Sequence, residues 1–258
     1  MDRRRFLITG LSLSGIAYAC VGAGARAASR TTTDTPPVVV REAGLPGWPL
    51  FEWEQPGGFF NPGEGVMQPP RLAVYADGTA YADAAARLPL PPVWVTTLHD
   101  QALGVLTTPA GLMRDPDKPP PGDRPFDQVR ARTPSGGYLT ARLEGWQDGD
   151  PQHAYPPPVR ELYQQVEAIR RHVLHAGTPW RPPGVMLGVV SIDYRPDHCR
   201  DWPKGVPTPG KQLYQEIRLP HGPHGLPRAT EKVWPMYRVG SNRFVAATWR
   251  RLLPHEIT

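Results

Sequence analysis

Cysteine is scarce in this chain: among its 258 residues only Cys20 and Cys199 are cysteines. Cys20 lies in an N-terminal segment that is interpreted below as a leader, so Cys199 is left as a lone thiol. A fold held together by disulfides is therefore excluded, and the stability must come from a packed core. About 230 residues remain for that core, which is enough for one large domain or two small ones.

Lysine is also scarce, because it supplies only four of the 29 basic residues and arginine supplies the rest. The first 27 residues hold four arginines and one acid, which leaves 25 basic and 23 acidic residues in the remainder. A nearly neutral body with scattered arginines lacks the concentrated basic face that nucleic-acid binding needs. The composition therefore predicts that nucleic acid is not a partner.

The N-terminal segment lacks an apolar run as hydrophobic as a typical transmembrane helix of about 20 residues. It begins with paired arginines and continues without charge through a stretch that contains several glycines and serines. This pattern resembles the twin-arginine signal, which is read by a translocase that carries folded proteins. The motif residues are Arg3, Arg4, Phe6 and Leu7. We expect an export signal over residues 1–27, an extracytoplasmic location, and membrane contact only through the leader or a lipid anchor.

Two endings fit this leader. Ala25 and Ala27 form a small-x-small cleavage site, which would release a secreted protein that begins near Ala28. Alternatively, the segment from Ala17 to Cys20 resembles a bacterial lipoprotein box, in which Cys20 is acylated and becomes the first mature residue. The first ending predicts a free protein, and the second predicts a lipoprotein of the cell envelope.

Proline is abundant: it supplies 34 of the 258 residues, about 13%, whereas its typical share is about 5%. The prolines concentrate in short clusters between patterned segments, which predicts a folded protein with stiff loops rather than a disordered chain. Residues 28–37 are rich in Thr and Ser and predict a flexible tether. A single domain is expected over residues 38–258.

Alternating and β-branched segments predict a series of strands within this domain. The predicted strands are 38–41, 50–54, 71–75, 79–82, 126–133, 137–143, 185–192, 212–219, 233–239 and 244–249. Asp77 and Gly78 predict a primed hairpin turn with positive φ values between the third and fourth strands. The continuous apolar run 185–192 predicts a central strand.

Two helices complete the expected fold. The longer covers residues 158–176, where apolar residues recur at three- and four-residue steps between Pro158 and a stop at Gly177. The shorter covers residues 98–106, with Thr97 as its N-cap. The predicted class is α+β, with an antiparallel or mixed sheet of six to nine strands packed by these two helices and joined by Pro-rich loops.

One segment resembles a known group of proteins. Residues 69–79 read PPRLAVYADGT and follow Gly57-Gly58-Phe59. In this they are similar to exported or lipid-anchored proteins of actinobacteria that have no assigned activity. The likeness covers about residues 38–192. It implies an envelope or secreted location and supplies no catalytic residues.

The densest polar segment, residues 193–201, follows the predicted central strand directly. Strand ends commonly carry functional loops, and Cys, His and Asp are ligands for zinc or copper. The candidate residues are Asp197, His198, Cys199, His221 and His224. Adjacent residues fit one tetrahedral ion poorly, however, so an ordinary exposed loop without metal or cofactor is the preferred interpretation.

Three further kinds of chemistry are compatible with the sequence. Cys199 could act as a nucleophile if His221, His224 or His255 reached it. Paired carboxylates, Glu52 with Glu54 or Asp148 with Asp150, could hydrolyse glycosides, although such pairs are usually solvated. Aromatic side chains in the Pro-rich stretches could stack on sugars or grip peptides, although they could equally cap the core. They are Trp48, Phe51, Trp53, Phe59, Phe60, Trp180 and Trp202.

These observations lead to two functional hypotheses. The first is a non-catalytic envelope or secreted protein that binds an extracellular ligand or protein partner after transport by the twin-arginine translocase. The alternative is an extracellular hydrolase or metal-dependent enzyme that uses the loops of residues 193–224. Convergence of His198, Cys199, His221 and an acid in one pocket would favour the alternative.

Overall fold

The computed structural model describes residues 40–42, 47–56, 68–118, 126–146, 154–229 and 235–257. All of these lie within one compact unit that spans residues 34–258. Several predicted features fall outside the described residues, so they remain predictions. They are the leader over 1–27 with Arg3, Arg4, Phe6, Leu7 and Cys20, the tether over 28–37, Phe59, Phe60, Asp148 and Asp150.

Eight strands form the first sheet, and every neighbouring pair in it is antiparallel. In chain order they are β1 (Val40–Glu42), β2 (Phe51–Glu54), β3 (Leu72–Val74), β4 (Thr79–Ala82), β5 (Ala86–Pro89), β6 (Phe126–Arg132), β7 (Tyr138–Glu144) and β8 (Thr178–Pro179). Their order across the sheet is β1-β7-β6-β2-β3-β4-β5-β8. The hairpin of β6 and β7 is therefore inserted between β1 and β2.

Two helices pack on one face of this sheet, α1 (Pro92–Leu106) against β2, β6 and β7, and α2 (Pro157–Ala176) against β4 and β5. The predicted long helix is confirmed within one residue, and its apolar stripe is buried. The stripe is Val159, Leu162, Val166, Ile169 and Val173. Neither helix, nor any other in the described part of the chain, is long and apolar enough to cross a membrane.

Helix α1 begins six residues earlier than predicted, and Thr97 is not its N-cap. Pro91 precedes the helix and Pro92 occupies its first turn, where the missing N–H of proline costs nothing. Proline clusters predict loops in this sequence, but the pair at this position begins a helix instead.

The turn between β3 and β4 is not the primed turn that was expected at Asp77 and Gly78. Only Gly78 is left-handed there (φ 84°), and the Asp77 carboxylate instead accepts the Thr79 N–H at 2.9 Å. The primed turn lies one connection later, where Asp83 (φ 49°) and Ala84 (φ 46°) are both left-handed. The prediction of positive φ at Asp77 is therefore wrong, while the hairpin itself is confirmed.

The first sheet, with eight strands and two helices packed on it, matches the predicted sheet of six to nine strands. Five further strands form a second sheet, which the sequence did not indicate. They are β9 (Val185–Ile192), β10 (Arg200–Asp201), β11 (Tyr214–Leu219), β12 (Met236–Val239) and β13 (Arg243–Arg251), in the order β10-β12-β13-β9-β11. Only the pair β10 and β12 is parallel. Strand β9 has a partner on each side, as its apolar run predicts. Two helices with two mostly antiparallel sheets confirm the α+β class.

The end of β13 joins the second sheet to the first. The Arg251 guanidinium donates to the Ala85 carbonyl at 3.2 Å, beside the β4–β5 turn. The Trp180 indole donates to the Leu252 carbonyl at 2.8 Å. The Tyr75 hydroxyl lies 2.7 Å from His255 Nδ1. These contacts bring residues from the middle and the end of the chain onto the β3-β4-β5 meander.

Candidate functional site

The five predicted polar residues all lie on exposed loops of the second sheet. They are Asp197, His198, Cys199, His221 and His224. Within the described ranges, no three His, Cys, Asp or Glu side chains are grouped so that they could hold a metal ion. The structure therefore offers no convergence of this set on one reaction centre in that part of the chain.

Cys199 is an exposed free thiol at the start of β10. The neighbouring Asp201 binds Arg238 on β12, with the closest nitrogen to oxygen distance at 2.6 Å. The hydrogen bond to Asp201 and the charges of Asp201 and Cys199 raise the pKa of Arg238. The polar loop is thus tied to the sheet through an exposed ion pair, and such a pair contributes little to stability.

Two glutamates on β2 are buried, contrary to the expectation of a solvated pair: Glu52 is 1% exposed and Glu54 is 8% exposed. They point away from the helices, because Phe51 and Trp53 alternate with them and fill the core beneath α1 and α2. One Arg130 nitrogen lies 3.4 Å from Glu52 and 3.2 Å from Glu54.

The strand register explains this charge cluster. In the pairing of β2 with β6, Glu52 lies opposite Arg130 and Glu54 lies opposite Gln128. The Gln128 amide donates to Glu54 at 2.6 Å. A glycosidase needs two carboxyl groups that reach a sugar. Carboxylates this deeply buried and already hydrogen-bonded suit a structural role.

A second buried network surrounds Tyr75, which meets His255 at its hydroxyl. Burial, together with the nearby charges of Glu52 and Glu256, raises the pKa of Tyr75 strongly. Glu256 in turn accepts two hydrogen bonds from Arg250, at 2.6 and 2.7 Å. This network fastens the segment after β13 to the first sheet.

The tryptophans of the Pro-rich stretches act mainly as core caps, which was the plainer of the two interpretations. Trp53 is fully buried, Trp202 packs edge-on against Tyr237, and Trp180 packs edge-on against Tyr81. Trp48 is half-buried beside Tyr138 and His255. Trp53 has charged neighbours of both signs, because Arg71 lies 5.8 Å from its ring and its indole donates to Asp127. Trp180 is instead surrounded by arginines.

Arginines gather around Trp180, at the edge where β5 pairs with β8. The Arg87 guanidinium carbon lies 5.4 Å from the centre of the Trp180 ring. The Ala85 carbonyl accepts the Trp180 N–H at 2.8 Å and the Arg251 guanidinium at 3.2 Å. Arg181 follows Trp180 directly and is exposed.

Arg228 is the fourth arginine of this group. It forms an isolated β-bridge with Trp249 on β13, and Trp249 lies two residues before Arg251. Burial first, and then the charges of Arg228 and Arg181, lower the pKa of Arg251. Arg228 and Arg181 are thus both close enough to Arg251 to act on its charge. We call Arg87, Arg181, Arg228 and Arg251 the arginine cluster.

Sequence reasoning missed the arginine cluster, because its members come from four distant segments and residues 28–258 contain nearly equal numbers of basic and acidic residues. The dipeptide Trp180-Arg181 within a Pro-rich loop was the only local signal. Once the chain folds, the scattered arginines include a locally concentrated set.

Comparison with known proteins adds no relative: no family model, curated protein or solved structure matches this chain. The resemblance of residues 38–192 to exported actinobacterial proteins therefore remains a prediction.

Proposed function

We propose that this chain is exported and acts outside the cytoplasm, in the cell envelope or as a secreted protein, as a non-catalytic protein that binds a ligand or partner. The twin-arginine pattern at Arg3 and Arg4 and the small residues before Ala28 support the export. The arginine cluster supports the binding, and it is the observation that carries this proposal.

Clustered like charges oppose folding through mutual repulsion, so a fold gains nothing in stability from keeping them together. In the arginine cluster the repulsion acts on Arg251, whose pKa is lowered by burial and by its two arginine neighbours. Perturbed titratable groups of this kind collect at functional sites more often than elsewhere. An anionic ligand would relieve the repulsion, which gives the cluster a reason to persist.

The export half is tested by the mass of the protein isolated from cells. We expect a chain that begins near Ala28, or an acylated chain that begins at Cys20. In an Arg3→Lys, Arg4→Lys variant, the full-length precursor should accumulate in the cytoplasm. Arg5→Lys is the matched control and should leave export intact. Unprocessed wild-type protein confined to the cytoplasm would refute the proposal.

The binding half is tested by retention of the purified protein on an immobilised polyanion such as heparin. The Arg181→Ala, Arg251→Ala variant should elute at clearly lower salt than an Arg142→Ala, Arg195→Ala control with the same net charge. Arg142 is 55% exposed in its side chain, and Arg195 is also exposed. Equal elution of the two variants would show that net charge alone accounts for retention, and that the cluster is not a binding surface.

A further inference from the structure

We infer that the arginine cluster is a binding site for a phosphate group, carried by a soluble phosphate ester or by a lipid headgroup. This rests on the proposed function, because it names the ligand class of the same surface.

The donors suit phosphate. A guanidinium carries five N–H donors in a planar fork whose geometry matches two oxygens of a phosphate. Arg251 donates one Nη1 hydrogen bond to the Ala85 carbonyl, which fixes the group and leaves other N–H donors on the same fork. Arg181 follows Trp180 directly and is exposed, so its guanidinium is accessible to a ligand in solution.

The charge favours phosphate over a carboxylate. Three arginines surround Trp180: Arg87 lies 5.4 Å from its ring, Arg251 binds the Ala85 carbonyl that the Trp180 backbone also binds, and Arg181 is the next residue in the chain. Three positive charges therefore lie in the same small region. A phosphate monoester carries close to two negative charges near neutral pH and offers three acceptor oxygens. A carboxylate carries one charge and two oxygens, so it would satisfy this region less completely.

The site is built on fixed backbone rather than on a free loop. The Trp180 N–H binds the Ala85 carbonyl, and the Trp180 indole binds the Leu252 carbonyl, both at 2.8 Å. The Tyr81 ring meets the Trp180 ring edge-on, with 4.8 Å between their centres. Groups held in place before binding lose less entropy when the ligand arrives, which raises affinity.

The primary experiment follows thermal unfolding of the isolated protein at constant ionic strength, with inorganic phosphate, glycerol phosphate, sulfate or acetate added. The two phosphates should raise the melting temperature most, and acetate should do so least. Isothermal titration should show that Arg181→Gln and Arg251→Gln each weaken glycerol phosphate binding by about tenfold or more, since a hydrogen bond to a charged group is lost. Arg195→Gln should bind as the wild type does.

A second readout separates a binding site from a structural role. Without ligand, Arg181→Gln should be at least as heat-stable as the wild type, because it removes repulsion from an exposed position. Lower stability of this variant together with unchanged phosphate affinity would overturn the inference. Arg181 is exposed, so this variant is expected to fold even if Arg251→Gln does not.

Vesicles distinguish the two sources of phosphate. Flotation with vesicles that contain phosphatidic acid, whose headgroup is a phosphate monoester, but no response to glycerol phosphate would assign the site to a lipid headgroup. A response to glycerol phosphate without flotation would assign it to a soluble ester. If the cluster governs heparin retention but acetate stabilises as much as phosphate, the phosphate assignment fails while the proposed binding function stands.

Discussion

Replacing Arg130 by methionine is expected to lower the free energy of unfolding by about 3–5 kcal/mol at pH 8. Arg130 is 3% exposed, and its guanidinium lies within 3.4 Å of both Glu52 and Glu54. Methionine keeps most of the side-chain volume but removes the positive charge shared by two buried carboxylates. Breaking a buried ion pair by removing one partner costs about this much, because a charge is left in a poorly solvating interior.

The loss should depend on pH in a defined direction. Without the guanidinium, burial favours the neutral, protonated form of each carboxyl group. Protons then bind the folded variant more tightly than the unfolded chain, so the deficit should be largest near pH 8 and shrink as the pH falls toward about 5. Urea unfolding followed by tryptophan fluorescence at both pH values measures the two deficits.

The control is Arg142→Met on the adjacent strand. Its partner is Glu144, and the two side chains are 55% and 48% exposed. Exposed pairs contribute about 0–1 kcal/mol, so this variant should unfold almost as the wild type does. If Arg130→Met loses no more stability than the control, or loses as much at pH 5 as at pH 8, the buried charges do not interact as described.

Three further predictions concern single positions. Ala84→Gly should raise the free energy of unfolding by about 1 kcal/mol in urea melts, because alanine is strained at its left-handed φ of 46°. Gly177→Ala should lower the free energy of unfolding by about 1–3 kcal/mol, since its Cβ would press on two backbone carbonyl oxygens. Gly104→Ala faces open space within α1 and should raise the free energy of unfolding by about 1 kcal/mol. Burial raises the pKa of Tyr155 to about 12, so the wild type should lose stability from about pH 10 to pH 12, as the unfolded chain ionises first. Tyr155→Phe should make that loss smaller without abolishing it, because the pKa of Tyr75 is also raised.

Local chemistry explains which parts of the fold are predictable. Helix α2 was anticipated within one residue, because its apolar stripe, its initial proline and Gly177 all act within a few residues of one another. Strands β6 and β7 were also anticipated within one residue at each end, and the turn between them contains Gly136, whose positive φ glycine allows. Neither element depends on distant partners.

Long-range burial explains what was missed. Alternation on β2 correctly separates Trp53 from Glu54, but it cannot show that both faces of the strand are buried. The division of strands between two sheets depends on pairings such as β2 with β6, for which no local pattern exists. The arginine cluster likewise depends on Arg87 and Arg251, which are brought together only by the completed fold.

The position of β2 between β3 and β6 also has a consequence during protein synthesis. Glu54 and Gln128 are neighbours across β2 and β6, yet 74 residues separate them in the chain. In the nascent chain, the backbone N–H and C=O groups of β2 that pair with β6 therefore remain unpaired until β6 emerges from the ribosome. Folding that awaits such distant pairing is slow, and the waiting edge is open to wrong partners. Translation pauses before β6 has emerged from the ribosome should therefore increase aggregation, while pauses after β6 and β7 have emerged should not.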